Sequence, residues 1–264
     1  MVITYSSLKG GVGKTTDAIL TATNLAKRGK HVLFFDLDPN NSGTMYFCSG
    51  IDGITDLIET HNTFESLSHN NVANYKIQSR IANIDIVPSH LNIFKLRGCG
   101  YNELQKTLRG YENTYDCVII DTAPTYDNLV INALTAADYI ITPIEFSSFN
   151  LTTTSYLQKQ LYDDCPQQVG NWYLLYSHWE ESRARFENST QTQFVKVFQS
   201  QFQNILDIHI PETPAANYYT QTDTPLSTTS RVIGARRLAI EINRLVKMLT
   251  NENPDDGSKW AERF

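Results

Sequence analysis

The segment Lys9-Gly10-Gly11-Val12-Gly13-Lys14-Thr15-Thr16 constrains the fold more than any other part of this 264-residue chain. An apolar run, Val2-Ile3-Thr4-Tyr5, leads into it, and Ala18, Ile19, Ala22, Leu25 and Ala26 follow at helical spacing. Glycines at 10, 11 and 13 open backbone conformations closed to other residues, so successive N–H groups converge on an anion. The helix that follows turns the positive end of its dipole to the same point. Lys14 is spaced to reach the β- and γ-phosphates of a nucleotide and the Thr15 hydroxyl to ligate Mg²⁺. The strict phosphate-loop pattern requires glycine where Leu8 stands; the added Lys9 marks a variant of that loop. The expected start is therefore strand, phosphate loop and helix, with Gly29 ending the helix before a second apolar run, His31-Val32-Leu33-Phe34-Phe35.

Further short apolar runs end in polar residues: Ile84 to Val87, Cys117 to Asp121, Tyr139 to Pro143 and Trp172 to Tyr176. Helical patterns over 128–137 and 151–161 lie between some of them. This alternation predicts an α/β fold, a mostly parallel twisted sheet flanked by helices on both faces, with ligands at the carboxyl ends of the strands. A single domain over 1–250 is expected, with 217–230 as a surface loop and 251–264 as a frayed tail. No run approaches the roughly 18 apolar residues of a membrane span, and no signal peptide opens the chain, so a cytoplasmic protein is expected. Cys48, Cys99, Cys117 and Cys165 form no CxxC pair, which points away from zinc or redox chemistry.

With the loop, four further blocks resemble the ParA/MinD family of deviant P-loop ATPases, ParA/Soj-type partition proteins in particular. Phe35-Asp36-Leu37-Asp38-Pro39 resembles the family's first switch. Lys76-Ile77-Gln78 with 83–89 resembles its middle region, Ile119-Ile120-Asp121-Thr122-Ala123-Pro124 its second switch, and 132–138 its continuation. The resemblance implies a P-loop NTPase fold, ATP and Mg²⁺ as cofactors, and an ATP-bound homodimer in which Lys9 reaches the partner's phosphates. It also implies that Asp38 orients the attacking water. Asp121, ending a buried strand beside the loop, is placed to hold Mg²⁺ directly or through water, while Asp36 supports the switch. Ile210-Pro211-Glu212 resembles the segment that lies over adenine in this family, which adds Pro211 and Glu212 to the expected nucleotide contacts. No NKxD tetrapeptide is present to read guanine. No cysteine follows Asp121 as in the nitrogenase iron protein, and Lys9 disfavours a dethiobiotin-synthetase-like ligase.

The charge is unevenly spread. The chain carries 22 Lys and Arg against 28 Asp and Glu, a net −6 that taken alone disfavours nucleic acid. Residues 231–250 have apolar Leu238, Ala239, Ile242, Leu245, Val246 and Leu249 on one side and Arg236, Arg237, Arg244 and Lys247 opposite. With Arg231 and Glu241 that segment is +4, which leaves −10 for the remainder. Such a stripe, doubled in a dimer, suits non-specific, salt-sensitive contact with DNA. The family resemblance adds a ParB-like or adaptor protein that stimulates slow hydrolysis, a cargo that is a plasmid, a chromosome origin or a protein body, and a nucleoid-associated location. MinD-type membrane association is the alternative within the family. The short segment around Lys259 and Trp260, next to Asp255-Asp256, offers little basic amphipathic surface for it.

Overall fold

The computed structural model describes residues 1–111, 113–222 and 226–251. In chain order the elements are β1 (Val2–Tyr5), α1 (Lys14–Lys27), β2 (Val32–Leu37), α2 (Ser42–Cys48), α3 (Ile54–Thr60), α4 (Thr63–Ser68), β3 (Ile77–Gln78) and β4 (Ile84–Val87). A 3₁₀ segment and α5 (Glu103–Leu108) precede β5 (Cys117–Thr122), α6 (Asn128–Ala136), β6 (Tyr139–Ile144) and α7 (Ser148–Asp164). A second 3₁₀ segment then leads to β7 (Trp172–Trp179), α8 (Glu181–Ala184), α9 (Thr190–Gln201), β8 (Ile205–Pro211), α10 (Pro214–Tyr219) and α11 (Ala235–Thr250).

The strands form one sheet in the order β3-β4-β2-β5-β1-β6-β7-β8, parallel throughout except for the short β3–β4 pair. Strands buried on both faces need apolar residues at successive positions, and β2 and β5 are buried along their whole length. Within each, neighbours point to opposite layers. Phe34 and Ile119 join Ala18, Leu25, Leu238 and Ile242 beneath α1 and α11, whereas Phe35 and Ile120 pack against Leu67, Leu104 and Leu129 of α4, α5 and α6. Leu157, Leu161 and Phe198 of α7 and α9 extend that second layer over β6 and β7.

Three strands in the middle carry the sequence blocks, and their register aligns them: Asp36 of β2 pairs with Asp121 of β5, which pairs with Tyr5 of β1 on its other side. The parallel α/β architecture is the one expected from the sequence, and it has helices on both faces. Some boundaries differ. β2 runs on to Leu37, so Asp36 lies within a strand, and β7 runs on to Trp179. The expected loop at 217–230 is helical at its start. Thr213 accepts a hydrogen bond from the Ala215 N–H, and Pro214 sits at the first helical turn, where its missing donor costs nothing. β8 was not anticipated, because its alternating Ile205 to Pro211 sequence is short and carries the exposed Asp207. The tail expected at 251–264, with Lys259 and Trp260, lies outside the described residues apart from Asn251.

Candidate functional site

The loop leaving β1 wraps the N-terminus of α1 above the strand ends. Gly11 and Gly13 have φ of +78° and +97°, the left-handed region that a side chain resists, so the tight curl of the loop depends on glycine at both. Gly10, Gly11, Gly13, Lys14, Thr15 and Thr16 line a cavity of about 440 Å³. Asp38 and Asn40 close it on the β2 side, and Ile210, Pro211, Glu212 and Asn217 wall its far end. The expected nucleotide contacts Pro211 and Glu212 therefore share one pocket with the phosphate loop. Val12 is fully buried under the loop.

The charges beneath the cavity are unusually dense. Lys14 is buried, its Nζ 3.4 Å from the Lys9 carbonyl oxygen. Burial lowers its pKa, opposed by the charges of Asp121 and Asp38. Asp121 is completely buried, and neither carboxylate oxygen has a well-formed hydrogen bond. Burial and the neighbouring Asp36 push its pKa well up, with Thr15 and Lys14 pulling the other way. A buried carboxylate so poorly supplied with donors is costly unless a cation completes it. Thr15 and Asp121 thus fit a hard cation such as Mg²⁺, and Lys14 with the loop N–H groups fits the phosphates of ATP.

Asp36 differs from its two neighbours because it is saturated. One oxygen accepts the Asp38 N–H at 3.0 Å, and the other accepts the N–H and the hydroxyl of Thr44, each at 2.7 Å. Burial still raises it to about 6, against those hydrogen bonds. It anchors the first-switch loop, while Asp38 receives the Asn40 N–H at 2.9 Å and faces the cavity. Gly43 is required close by, since a Cβ there would lie 2.7 Å from the Phe34 ring.

Lys9 does not line the cavity with the other loop residues. Its ammonium lies 2.5 Å from Glu145, just beyond β6, with the two side chains only 19% and 21% exposed. Glu145 also accepts the Ser147 hydroxyl at 3.0 Å. Burial raises the Glu145 carboxyl, but Lys9, Ser147 and the charge of His178 together bring it below its ordinary value.

Two groups that the motifs did not point to complete the pocket. Asp17, in the first turn of α1, is buried and accepts the Ser177 hydroxyl at 3.2 Å; burial pushes its carboxyl up to about 8 against that bond. His178 lines the same cavity at the end of β7. An aspartate directly after the loop was the available signal for the first, whereas nothing in the local sequence marks the second.

On α11 the basic side is divided. Arg237 pairs with Glu181 and Glu241 at 3.0 Å, and Arg244 pairs with Glu241 at 3.0 Å and with Asp207. Glu241 is itself buried between them. Arg236 and Lys247 are exposed and make no ion pair with a described residue. The apolar side is wholly taken up by packing, with Leu238, Ile242, Leu245 and Val246 at 0% exposure.

Comparison with known proteins agrees with the geometry. Residues 1–163 match the model of the AAA domain family. A virulence-plasmid ParA family protein of Chlamydia psittaci is 29% identical over 75% of this chain and 75% of its own length. The sporulation initiation inhibitor protein Soj of Bacillus subtilis is 30% identical over 59% of this chain and 62% of its own. Several curated relatives match over only 48% to 62% of their length. A Borrelia burgdorferi B31 protein assigned to plasmid partition, solved with AMPPNP, superposes with a TM-score of 0.74 at 25% identity, covering 92% of this chain and 97% of that one. The chain belongs to the AAA domain family, as a P-loop ATPase of the ParA/MinD type.

Proposed function

We propose that this protein is a Mg²⁺-dependent ATPase that dimerises on ATP, binds DNA non-specifically as the dimer and so partitions or positions a cargo, with hydrolysis stimulated by a ParB-like or adaptor partner resetting it. The buried carboxylate of Asp121, with no well-formed hydrogen bond and only Lys14 and the Thr15 hydroxyl to offset its charge, carries the catalytic part of this reading. A structural aspartate in such a place would have its oxygens fully supplied with donors, as Asp36 does. Thr15 and Asp121 hold the metal, which when bound neutralises charge on the phosphates. The glycine N–H groups and Lys14 hold the β- and γ-phosphates, and Asp38, at the cavity wall, orients the attacking water. Phosphoryl transfer is driven mainly by positioning and charge neutralisation, and these residues supply both. Lys9 adds a second cation once it leaves Glu145 for the partner's phosphates.

The DNA part of the proposal is supported by Arg236 and Lys247, exposed on α11, and by Arg231, exposed just ahead of it. Arg237 and Arg244 contribute less, being engaged by Glu181, Glu241 and Asp207. Membrane association is not favoured, because the apolar side of α11 is buried. The cargo is a plasmid, a chromosome origin or a protein body, and the place of action is the nucleoid in the cytoplasm. The deciding experiment is Asp38→Ala: ATP binding by calorimetry is retained and steady-state phosphate release is lost. Wild-type turnover in that variant would remove Asp38 from the mechanism.

A further inference from the structure

Left-handed backbone is rare for residues with a side chain, and asparagine tolerates it best. Among the described residues other than glycine, five have positive φ; four are asparagines and the fifth is His178, at +54°. The cause lies in the pairing of β7 with β8. Between Tyr176 and Trp179 on β7 the chain takes three steps, while the partners His209 and Pro211 are two apart, so β7 carries one extra residue at its end. Bulges of this kind re-aim a side chain, and they persist only where the surroundings hold them.

Here the surroundings hold both flanks. Trp179 stacks on His209 with ring centroids 3.8 Å apart and planes within 7°, and Tyr176 stacks on Phe146 at 5.8 Å. From below, the Ser177 hydroxyl is tied to the buried Asp17, and a Cβ on Gly13 would lie 3.2 Å from that hydroxyl oxygen. Aromatic packing and a buried hydrogen bond thus fix a strained residue whose side chain borders the nucleotide cavity. It sits there with Ile210, Pro211 and Asn217, at the end away from Asp38.

From this geometry we infer that His178 is the base-discriminating residue of the site, its imidazole lying against the nucleobase, and that Asp17 is its positioning residue, acting through Ser177. The inference rests on the nucleotide-binding reading above. An imidazole at the pocket wall offers a base an aromatic surface that a purine covers better than a pyrimidine, so the ligand class is a purine nucleoside triphosphate over a pyrimidine one. Aromatic contact with a base is worth on the order of a tenfold change in affinity.

The test compares dissociation constants for ATP, CTP and inorganic tripolyphosphate in the wild type and in His178→Gly, since glycine adopts the left-handed backbone without strain. The variant should keep or raise the melting temperature, bind tripolyphosphate as before, and lose about tenfold of the preference for ATP over CTP. His178→Asn, which also tolerates this backbone, should behave alike. An unchanged ATP-to-CTP ratio in both variants overturns the assignment. Asp17→Ala should lower the ratio and Asp17→Asn, still an acceptor for Ser177, should restore it; no change with alanine overturns the positioning role. Failure of the wild type to bind either ATP or tripolyphosphate would instead sink the nucleotide reading itself.

Discussion

Glu145→Gln should make ATP-dependent dimerisation tighter. In the single chain Lys9 is held by Glu145 at 2.5 Å, with both side chains about one-fifth exposed. If Lys9 reaches the partner's phosphates, each protomer first breaks this pair. Exposed ion pairs are worth roughly 0.2–1 kcal/mol and hydrogen bonds to charged groups about 1.5–3 kcal/mol. Glutamine keeps an acceptor but removes the charge, so about 1 kcal/mol per protomer is the reasonable loss. Two protomers give about 2 kcal/mol, a dimer dissociation constant roughly 30-fold lower. Sedimentation equilibrium in saturating ATP measures it, in an Asp38→Ala background so that hydrolysis does not dissolve the dimer. Adding Lys9→Ala should erase the effect of Glu145→Gln, since the cycle then has no pair to break. A dimer constant unchanged or weakened by Glu145→Gln alone would refute the idea that Lys9 exchanges a contact within the chain for one across the dimer.

Four other outcomes are expected. The Asp17 carboxyl, pushed up to about 8 by burial, binds its proton more tightly in the folded chain than in the unfolded one. Its contribution is therefore favourable at low pH and is lost as the pH rises from about 4 to about 8. Melting temperatures of the nucleotide-free Asp17→Asn variant should fall less steeply over that interval than those of the wild type, and parallel curves would contradict the assignment. Replacing Arg237 and Arg244 together with alanine leaves Glu241 buried without its cations and should cost about 3 kcal/mol or more in urea unfolding. Arg236→Ala with Lys247→Ala should stay within about 0.5 kcal/mol and instead weaken binding to random-sequence DNA. Gly43→Ala forces a methyl into the Phe34 ring beside Asp36 and should destabilise by about 1–3 kcal/mol; full stability by calorimetry would show that α2 can move aside.

The parts of the site legible in the sequence are those whose chemistry depends on neighbouring residues along the chain. The phosphate loop needs glycine, lysine and threonine in fixed succession, so Lys14 and Thr15 could be placed at once. Asp38 and Asp121 were proposed because each stands at the end of a recognisable buried strand. Glu145, Asp17 and His178 were not, because their roles arise where distant segments meet: β6 with the loop, α1 with β7, and a bulge created by unequal lengths of β7 and β8. Short range also explains the reading of α11. Its charge pattern was plain, but Glu181 and Asp207, which engage its arginines, come from α8 and β8, far from it in sequence.

The register that aligns Tyr5, Asp121 and Asp36 across β1, β5 and β2 also dictates where the chain can change in length. Neighbouring strands are about 4.8 Å apart, and side chains alternate between faces along each strand. The carboxylates of Asp121 and Asp36 are therefore gauged by the ladder itself, without help from the loops. One residue inserted within β5 would bring Ile120 or Thr122 level with Asp36 and exchange the residues offered to the α1 and α5 layers. Insertions ahead of β5, around residues 99–102, leave that gauge untouched. Divergence in length among homologues should accordingly gather in the connections and spare the three central strands, and grafted peptides should be accepted on the same terms.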